Sequence, residues 1–352
     1  MTTTAAIHSL RNRPISAAYL RLALDQLVGD NPARREEVLA AAGLRDSERA
    51  GGQRGEVEFG ILATAMTAMT AGRARGWHLE LLARLDAAVH GPLGFALLAA
   101  PTPGQALETL VAYGELRLPF VWFASSVDES MGRIDCTPSG DLGSLRAPLM
   151  ELTVLALSRF VAQVSGRPAR LVSIQMPGDP PPYEQALRAS VDASIDFGSA
   201  GYAVVFPSSW LCVTSLFADE DMHRLSVARC RDLLGVGLRR SPLELSLRQE
   251  ILAAGGVSPG LEALARSRHM SSRTLMRRLK RQGTSYRRIV EEIHAGLAAD
   301  LLRHTELPIA EIAARLGFAD TANFGRAFRG WHAVAPGRYR RGQADDPSRD
   351  DS

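Results

Sequence analysis

The feature that most constrains this chain lies in its last third, where short helical patterns are cut by tight turns and repeat in the same arrangement. An amphipathic stretch, Pro242 to Ala254, ends at Gly255-Gly256, a helix stop. Ser258-Pro259 then open a short helix through Arg268, with Leu261, Leu264 and Ala265 inward. After His269-Met270, Ser271 or Ser272 caps a helix whose Leu275 and Leu279 face in, while Arg273, Arg277, Lys280 and Arg281 face out. Gly283 stops it, and Thr284 or Ser285 begins a long helix to about His304. Ile289, Ile293, Leu297 and Leu301 stand four apart along that helix and read as a buried stripe. Pro308 starts IAEIAARL, with Ile309, Ile312, Ala313 and Leu316 inward, and Gly317 gives the turn. The next helix, Asp320 to about Trp331, offers Phe324, Phe328 and Trp331 to the core and Thr321, Asn323, Arg326 and Arg329 to solvent.

These are two helix-turn-helix units in one all-α domain. In each, a small residue of the first helix, Ala265 or Ala313, lets the second helix pack closely, and the turn four residues later favours positive φ. Gly317 meets that demand; His269 occupies the equivalent turn of the first unit, where a side chain is less comfortable.

Charge sharpens the reading. The whole chain carries a net +3, but residues 241–341 hold 17 Lys and Arg against 9 Asp and Glu, while the tail 342–352 is acidic. Leu261 to Arg288 carries Arg266, Arg268, Arg273, Arg277, Arg278, Lys280, Arg281, Arg287 and Arg288 against the single acid Glu262. Clustering of this kind either solvates a helix face or is the footprint of a polyanion binder. Its place on the second helix of a helix-turn-helix favours double-stranded DNA.

The first 235 or so residues have another texture. Helical patterns at Ala17 to Val28, Ala33 to Ala42, Phe59 to Thr70, Leu79 to Val89 and Leu149 to Val164 alternate with β-like runs. FVWFAS and GRIDCT, joined by SVDESM, read as a hairpin; RLVSIQMP and AVVFPSS are further short strands, and a proline-rich loop precedes a helix at Tyr183 to Ser190. The expected fold is therefore a mixed α/β or α+β domain over 1–235, an all-α double helix-turn-helix domain over 242–341, and an acidic tail over 342–352.

The stretch LPIAEIAARLGFADTANFGRAFRGWHAVAPGRYRR resembles the C-terminal signature of the AraC/XylS family of bacterial transcription regulators, over about Pro242 to Arg341. The matching positions include Ile309, Ile312, Ala313, Gly317, Phe318, Phe324, Arg326, Phe328, Trp331, Pro336, Tyr339 and Arg340. The resemblance implies that the second helix of each unit enters the major groove. Arg273, Met276 and Arg277 would then face bases, flanked by Ser272, Lys280 and Arg281; in the second unit Thr321, Ala322, Asn323 and Arg326 would do so, flanked by Asp320 and Arg329. Three residues depart from the family pattern: Ala333 where a helix-ending glycine is usual, His294 where many members have arginine, and Gly325 inside the second reading helix, at a cost of about 1 kcal/mol against alanine.

More loosely, GPLGFALLAAPTPGQALETL and SIDFGSAGYAVVFPSSWL resemble the arabinose-binding-type regulatory domain of some of these regulators. That implies a domain that senses a small-molecule effector or dimerises, with Trp122, Phe123 and Tyr202 as candidate pocket residues. The expected function is a sequence-specific transcription regulator, activator or repressor, acting as a homodimer with RNA polymerase as partner. The alternative is a ligand-independent regulator whose first domain only dimerises or docks a partner.

Other classes find no support. No GxSxG elbow, Walker-type loop, GxGxxG or HExxH occurs, and no enzyme, cofactor or metal is expected. Asp86 and His90, expected four apart on one helix face, are the one local acid and imidazole pair, which is not a site. The stretch Ala87 to Leu107, free of Asp, Glu, Lys and Arg, contains His90, prolines and glycines and makes a poor membrane span, so a cytoplasmic protein is expected. Cys136, Cys212 and Cys230 are too far apart for CxxC chemistry and are expected to fill core space in a reduced compartment.

Overall fold

The computed structural model describes residues 10–44, 55–237 and 242–341. By their contacts the described residues form two compact units, one of 10–137 with 144–237 and one of 242–341 with 138–143. The acidic tail 342–352 lies outside the described residues.

The N-terminal unit opens with a small antiparallel pair, β1 (Pro14–Ser16) and β2 (Glu56–Glu58), around helices α1 (Ala17–Leu27) and α2 (Pro32–Ala41). Helices α3 (Phe59–Thr70), α4 (Leu79–Leu82), α5 (Pro92–Leu98) and α6 (Pro103–Tyr113) follow. The remaining elements are β3 (Val121–Val127), β4 (Met131–Pro138), α7 (Arg146–Ser165), β5 (Ser173–Gln175), α8 (Glu184–Ala189), β6 (Ser194–Asp196), β7 (Tyr202–Pro207) and α9 (Glu220–Gly237).

The main sheet has the order β3-β4-β7-β5-β6. β7 pairs antiparallel with β4 and β5, and β6 runs parallel to β5. The register sets Ile134 opposite Val204 and Val204 opposite Ile174, all fully buried, and α7 packs on that part of the sheet. The expected hairpin is present: Asp128 Oδ1 accepts from the backbone N–H groups of Ser130 (2.8 Å) and Met131 (2.7 Å), an Asx-type turn.

Several expectations need correction. The helix expected over Leu79 to Val89 breaks after α4, because Asp86 adopts extended backbone and its side chain accepts from Val89 N–H at 3.2 Å, capping a 3-10 turn over Ala87–His90. Asp86 and His90 therefore do not share a helix face. Helices α5, α6 and α9 and strands β1, β2 and β6 lie outside the patterns read from the sequence. Cys212 is exposed at the end of a 3-10 turn, whereas Cys136 and Cys230 are buried. Gly143–Ser165 is long and apolar enough to cross a bilayer by length and composition, although Arg146, Glu151 and Arg159 interrupt its run. It packs as a core helix, with 67 % of its apolar window buried. Glu151, its buried acid, lies 2.7 Å from His78 Nε2 and accepts from Tyr183 Oη at 3.1 Å.

The C-terminal unit is all helical: α10 (Pro242–Ala253), α11 (Leu261–Arg266), α12 (Ser272–Arg281), α13 (Tyr286–His304), α14 (Ile309–Arg315), α15 (Thr321–His332) and α16 (Pro336–Arg340). Hydroxyls of Ser271 and Ser285 each accept an N–H at 3.2 Å and start α12 and α13. The long stripe drifts: Ile289 and Ile293 are fully buried, but Leu297 and Leu301 are only partly so, and Ala298 and Leu302 take over the buried line. Four residues overshoot a 3.6-residue turn, so a strict i+4 row winds off the buried face. Ala298 and Leu302 pack with Ile312, Ala313, Leu316, Phe324 and Phe328, the core that holds α14 and α15 against α13.

Candidate nucleic-acid interface and effector cavity

Each helix-turn-helix is made by a close-packed alanine and a left-handed turn. Ala265 and Ala313 are buried, and the turns pass through His269 at φ 51° and Gly317 at φ 77°. His269 thus does adopt the left-handed backbone its position demands, against the usual steric preference of a side chain.

On α12 the buried Leu275 and Leu279 hold the helix while Arg273, Met276, Arg277, Lys280 and Arg281 are exposed; Ser272 is half-buried. The cations of this unit divide into two groups that the sequence alone did not separate. Arg287 pairs with Glu291 at 2.7 Å, Arg288 with Glu292 at 3.1 Å, Arg268 with Glu250 at 2.8 Å and Arg315 with Glu311 at 2.8 Å. Arg273, Arg277, Arg278, Lys280 and Arg281 have no ion-pair or hydrogen-bond partner for their side chains among the described residues. Arg266, Arg329, Arg338 and Arg341 also lack one, and the largest group of uncompensated cations is the five on α12.

On α15 the exposed face is ordered differently. Asp320 caps the helix, its carboxylate accepting from Asn323 N–H and Asn323 Nδ2, each at 2.6 Å. Arg326 in turn donates to Asn323 Oδ1. Asp320, Asn323 and Arg326 therefore form a hydrogen-bonded chain, beside the exposed Thr321, Ala322 and Arg329. An acid at a helix start favours the helix, and its charge opposes phosphate, so the geometry gives Asp320 a capping role. Gly325 is open: no atom lies within 4 Å of the Cβ an alanine would add. Ala333 ends α15 in the left-handed conformation, φ 63°.

The 19-residue α13 joins the units, spanning about 28 Å at 1.5 Å per residue. It is pinned at two histidines. Nε2 of His294 donates to Gly256 O at 2.9 Å and Nε2 of His332 to Ala295 O at 3.0 Å; burial lowers the pKa of both imidazoles.

The N-terminal unit contains a cavity of about 320 Å³ among α1, α3, α5 and α7, lined mainly by Leu, Ala, Met and Phe side chains. Of the three aromatic residues expected in a pocket, Phe123 lines it, but Trp122 and Tyr202 do not. Neighbouring residues of a strand point to opposite faces, so Trp122 is buried on the far side of β3 from Phe123. Tyr202 is buried with the Arg146 guanidinium 5.5 Å from its ring centre. The polar pair that does line the cavity, Tyr19 and His90, was missed, since each sits on a different short helical element far apart in sequence. Tyr19 Oη and His90 Nδ1 are 2.6 Å apart. Burial, with Arg117 beside it, lowers the His90 pKa to about 4, and burial pushes the Tyr19 hydroxyl up. At neutral pH both groups are therefore uncharged, and a single hydrogen bond joins Tyr19 Oη and His90 Nδ1.

Two family models match the chain: residues 33–213 fit the arabinose-binding domain of AraC transcription regulators, N-terminal, and residues 264–342 fit a helix-turn-helix domain. The ornithine utilization regulator of Pseudomonas aeruginosa is 27 % identical over 328 residues, covering 93 % of this chain and 96 % of its own. The transcriptional activator RhaS of Escherichia coli is 36 % identical over 83 residues, 23 % of this chain and 30 % of its own. Among solved structures, the transcriptional regulator CdpR from Pseudomonas aeruginosa is similar with a TM-score of 0.42 at 20 % identity, covering 88 % of this chain and 97 % of that one. With an N-terminal match over more than half of its length and a helix-turn-helix match behind it, the chain belongs to the AraC family of transcription regulators: it is a sequence-specific DNA-binding protein and not an enzyme.

Proposed function

We propose that α12 and α15 are the reading helices of this regulator, with 242–341 as the DNA-binding part and 1–235 as the sensing and association part. Arg273, Met276 and Arg277 face bases, with Ser272, Lys280 and Arg281 beside the backbone. Thr321, Ala322, Asn323 and Arg326 form the second reading face, flanked by Arg329, with Asp320 setting the helix start. The observation that carries this reading is the set of five exposed, unpaired cations on α12, where phosphate supplies the missing counter-charge.

The N-terminal cavity supports control by a small-molecule effector over the ligand-independent alternative, since its volume lies in the range of ligand pockets, about 300–1,000 Å³. Leu216, Phe217, Met222 and Leu225 are exposed near the start of α9, which favours a second copy of the chain as partner. Output passes to RNA polymerase, in keeping with the role of the family.

The test is operator binding by the full-length protein across a series of salt concentrations. Each phosphate contact contributes about 0.9 to the log-log slope, so Arg281→Ala and Lys280→Ala should each lower it by about 1. If both leave slope and affinity unchanged, α12 does not face DNA.

A further inference from the structure

The cavity in the N-terminal unit says more about its ligand than its domain type does. Its deeper wall is built from residues such as Leu22, Met66, Leu93, Leu152 and Phe123. The charged and amide groups that reach it, Asp86, Arg159 and Gln163, are all solvent-exposed residues at its edge, and Arg159 donates to Leu82 O at 3.0 Å. Thr153 also lines it, but its hydroxyl already donates to Leu149 O at 2.7 Å. What remains inside is the Tyr19–His90 pair. With Tyr19 Oη and His90 Nδ1 taken up by each other, Nε2 of His90 has no hydrogen-bond partner among the described residues.

A sugar brings several hydroxyls, and an α,ω-diamino acid brings fixed charges at both ends. Each such group would enter an apolar space without a partner. The cavity, at about 320 Å³, is about twice the roughly 150 Å³ of an apolar cavity that stays dry and takes benzene. We infer that His90 carries its ring hydrogen on Nε2, with the Tyr19 phenol donating to Nδ1, and that the cavity takes a largely apolar small molecule, the size of two joined rings or a medium-length chain, bearing one hydrogen-bond acceptor such as a carbonyl oxygen that this Nε2–H meets. This inference rests on the reading of the N-terminal unit as an effector domain, and it names the chemistry of that effector.

The measurement is calorimetric titration of the full-length protein with butyrophenone and with butylbenzene, which differ in the carbonyl. The ketone should bind once per chain, about tenfold tighter than the hydrocarbon, the worth of one buried hydrogen bond. His90→Phe should bring the two to equal affinity. Ala156→Trp, which puts an indole into the cavity wall, should abolish both. L-arabinose and L-ornithine should neither bind nor compete. The inference is overturned if the sugar or the amino acid binds and neither aromatic probe does, or if folded Ala156→Trp protein keeps its ketone affinity. Where Ala156→Trp does not fold, a tenfold preference surviving in His90→Phe overturns it as well. Operator affinity read in parallel tests the underlying reading separately: ketone binding that leaves operator affinity unchanged removes control through this cavity and leaves the ligand chemistry standing. A sugar-dependent change in operator affinity with no ketone binding does the reverse.

Discussion

His294, buried midway along α13, donates its Nε2–H to the carbonyl oxygen of Gly256 at 2.9 Å. That single bond ties the Gly255-Gly256 turn, which ends α10, to the helix joining the two helix-turn-helix units. Replacing His294 with leucine keeps the apolar contacts and removes the donor, leaving a carbonyl without this partner. The expected loss is about 1–3 kcal/mol, read as a lower midpoint in urea or thermal unfolding of the full chain. A midpoint equal to that of the wild type would show that the turn does not need the histidine.

Two backbone substitutions in α15 should both stabilise, for opposite reasons. Ala333 sits at φ 63°, where a side chain is strained and glycine is not, so Ala333→Gly should gain about 1 kcal/mol. Gly325 is helical with nothing within 4 Å of an added Cβ, so Gly325→Ala should gain about 1 kcal/mol from helix propensity. For a domain of about 100 residues each gain raises the melting temperature by about 4–8 °C. A fall in melting temperature for Gly325→Ala would show that helix propensity does not decide stability at this position.

The proton balance of His90 makes the N-terminal unit sensitive to acid. Its folded pKa is about 4 against 6.5 for the free side chain, so the unfolded chain binds the proton more readily. Its stabilising contribution is fully present above about pH 6.5 and is lost as pH falls through 4. The shift corresponds to a few kcal/mol. Melting curves of the full chain between pH 7 and pH 4 should show the drop, and His90→Phe should make the dependence shallower. An unchanged pH profile in the variant would place the acid sensitivity elsewhere, for instance at His294 or His332, whose pKa values are also lowered by burial.

Base reading and reach should separate in DNA variants. Arg277→Ala should flatten preference at one base position by about 1–3 kcal/mol while leaving others intact. Because α13 spans about 28 Å and a duplex turn about 34 Å, one chain should engage successive major grooves about 10 base pairs apart on one face. Inserting five base pairs between sub-sites should abolish joint engagement, and ten should also weaken it by exceeding the reach of a rigid helix. Footprints confined to one groove segment, with both insertions harmless, would leave recognition to α12 alone.

The C-terminal unit was legible because its signals are local. Ser271, Ser285 and Asp320 cap helices within three residues, Gly317 turns the chain where φ must be positive, and Leu275 and Leu279 repeat at helical spacing. The N-terminal unit was less so. Thr102 and Pro103 carry a capping signal for α6, with Thr102 accepting from Gln105 N–H at 3.2 Å, yet the apolar runs around them are too continuous to show a period. The cavity was beyond local reading, because Tyr19 and His90 meet only through the packing of α1 against the turn that Asp86 caps. Trp122 and Phe123 look alike in sequence, and only the strand's alternation decides which one faces the cavity.

The bare cations of α12 have a consequence for the helix itself. Arg273, Arg277 and Arg281 follow one another at four-residue spacing, and like charges so placed destabilise a helix by about 0.2–0.5 kcal/mol per pair. In the free protein dissolved ions screen that repulsion and steady the helix. With α12 on the duplex, as proposed, phosphates would relieve the same repulsion and dissolved ions would compete with them. Raising ionic strength therefore acts on this element in two opposed senses, firming the helix in the unbound regulator while loosening its hold on DNA.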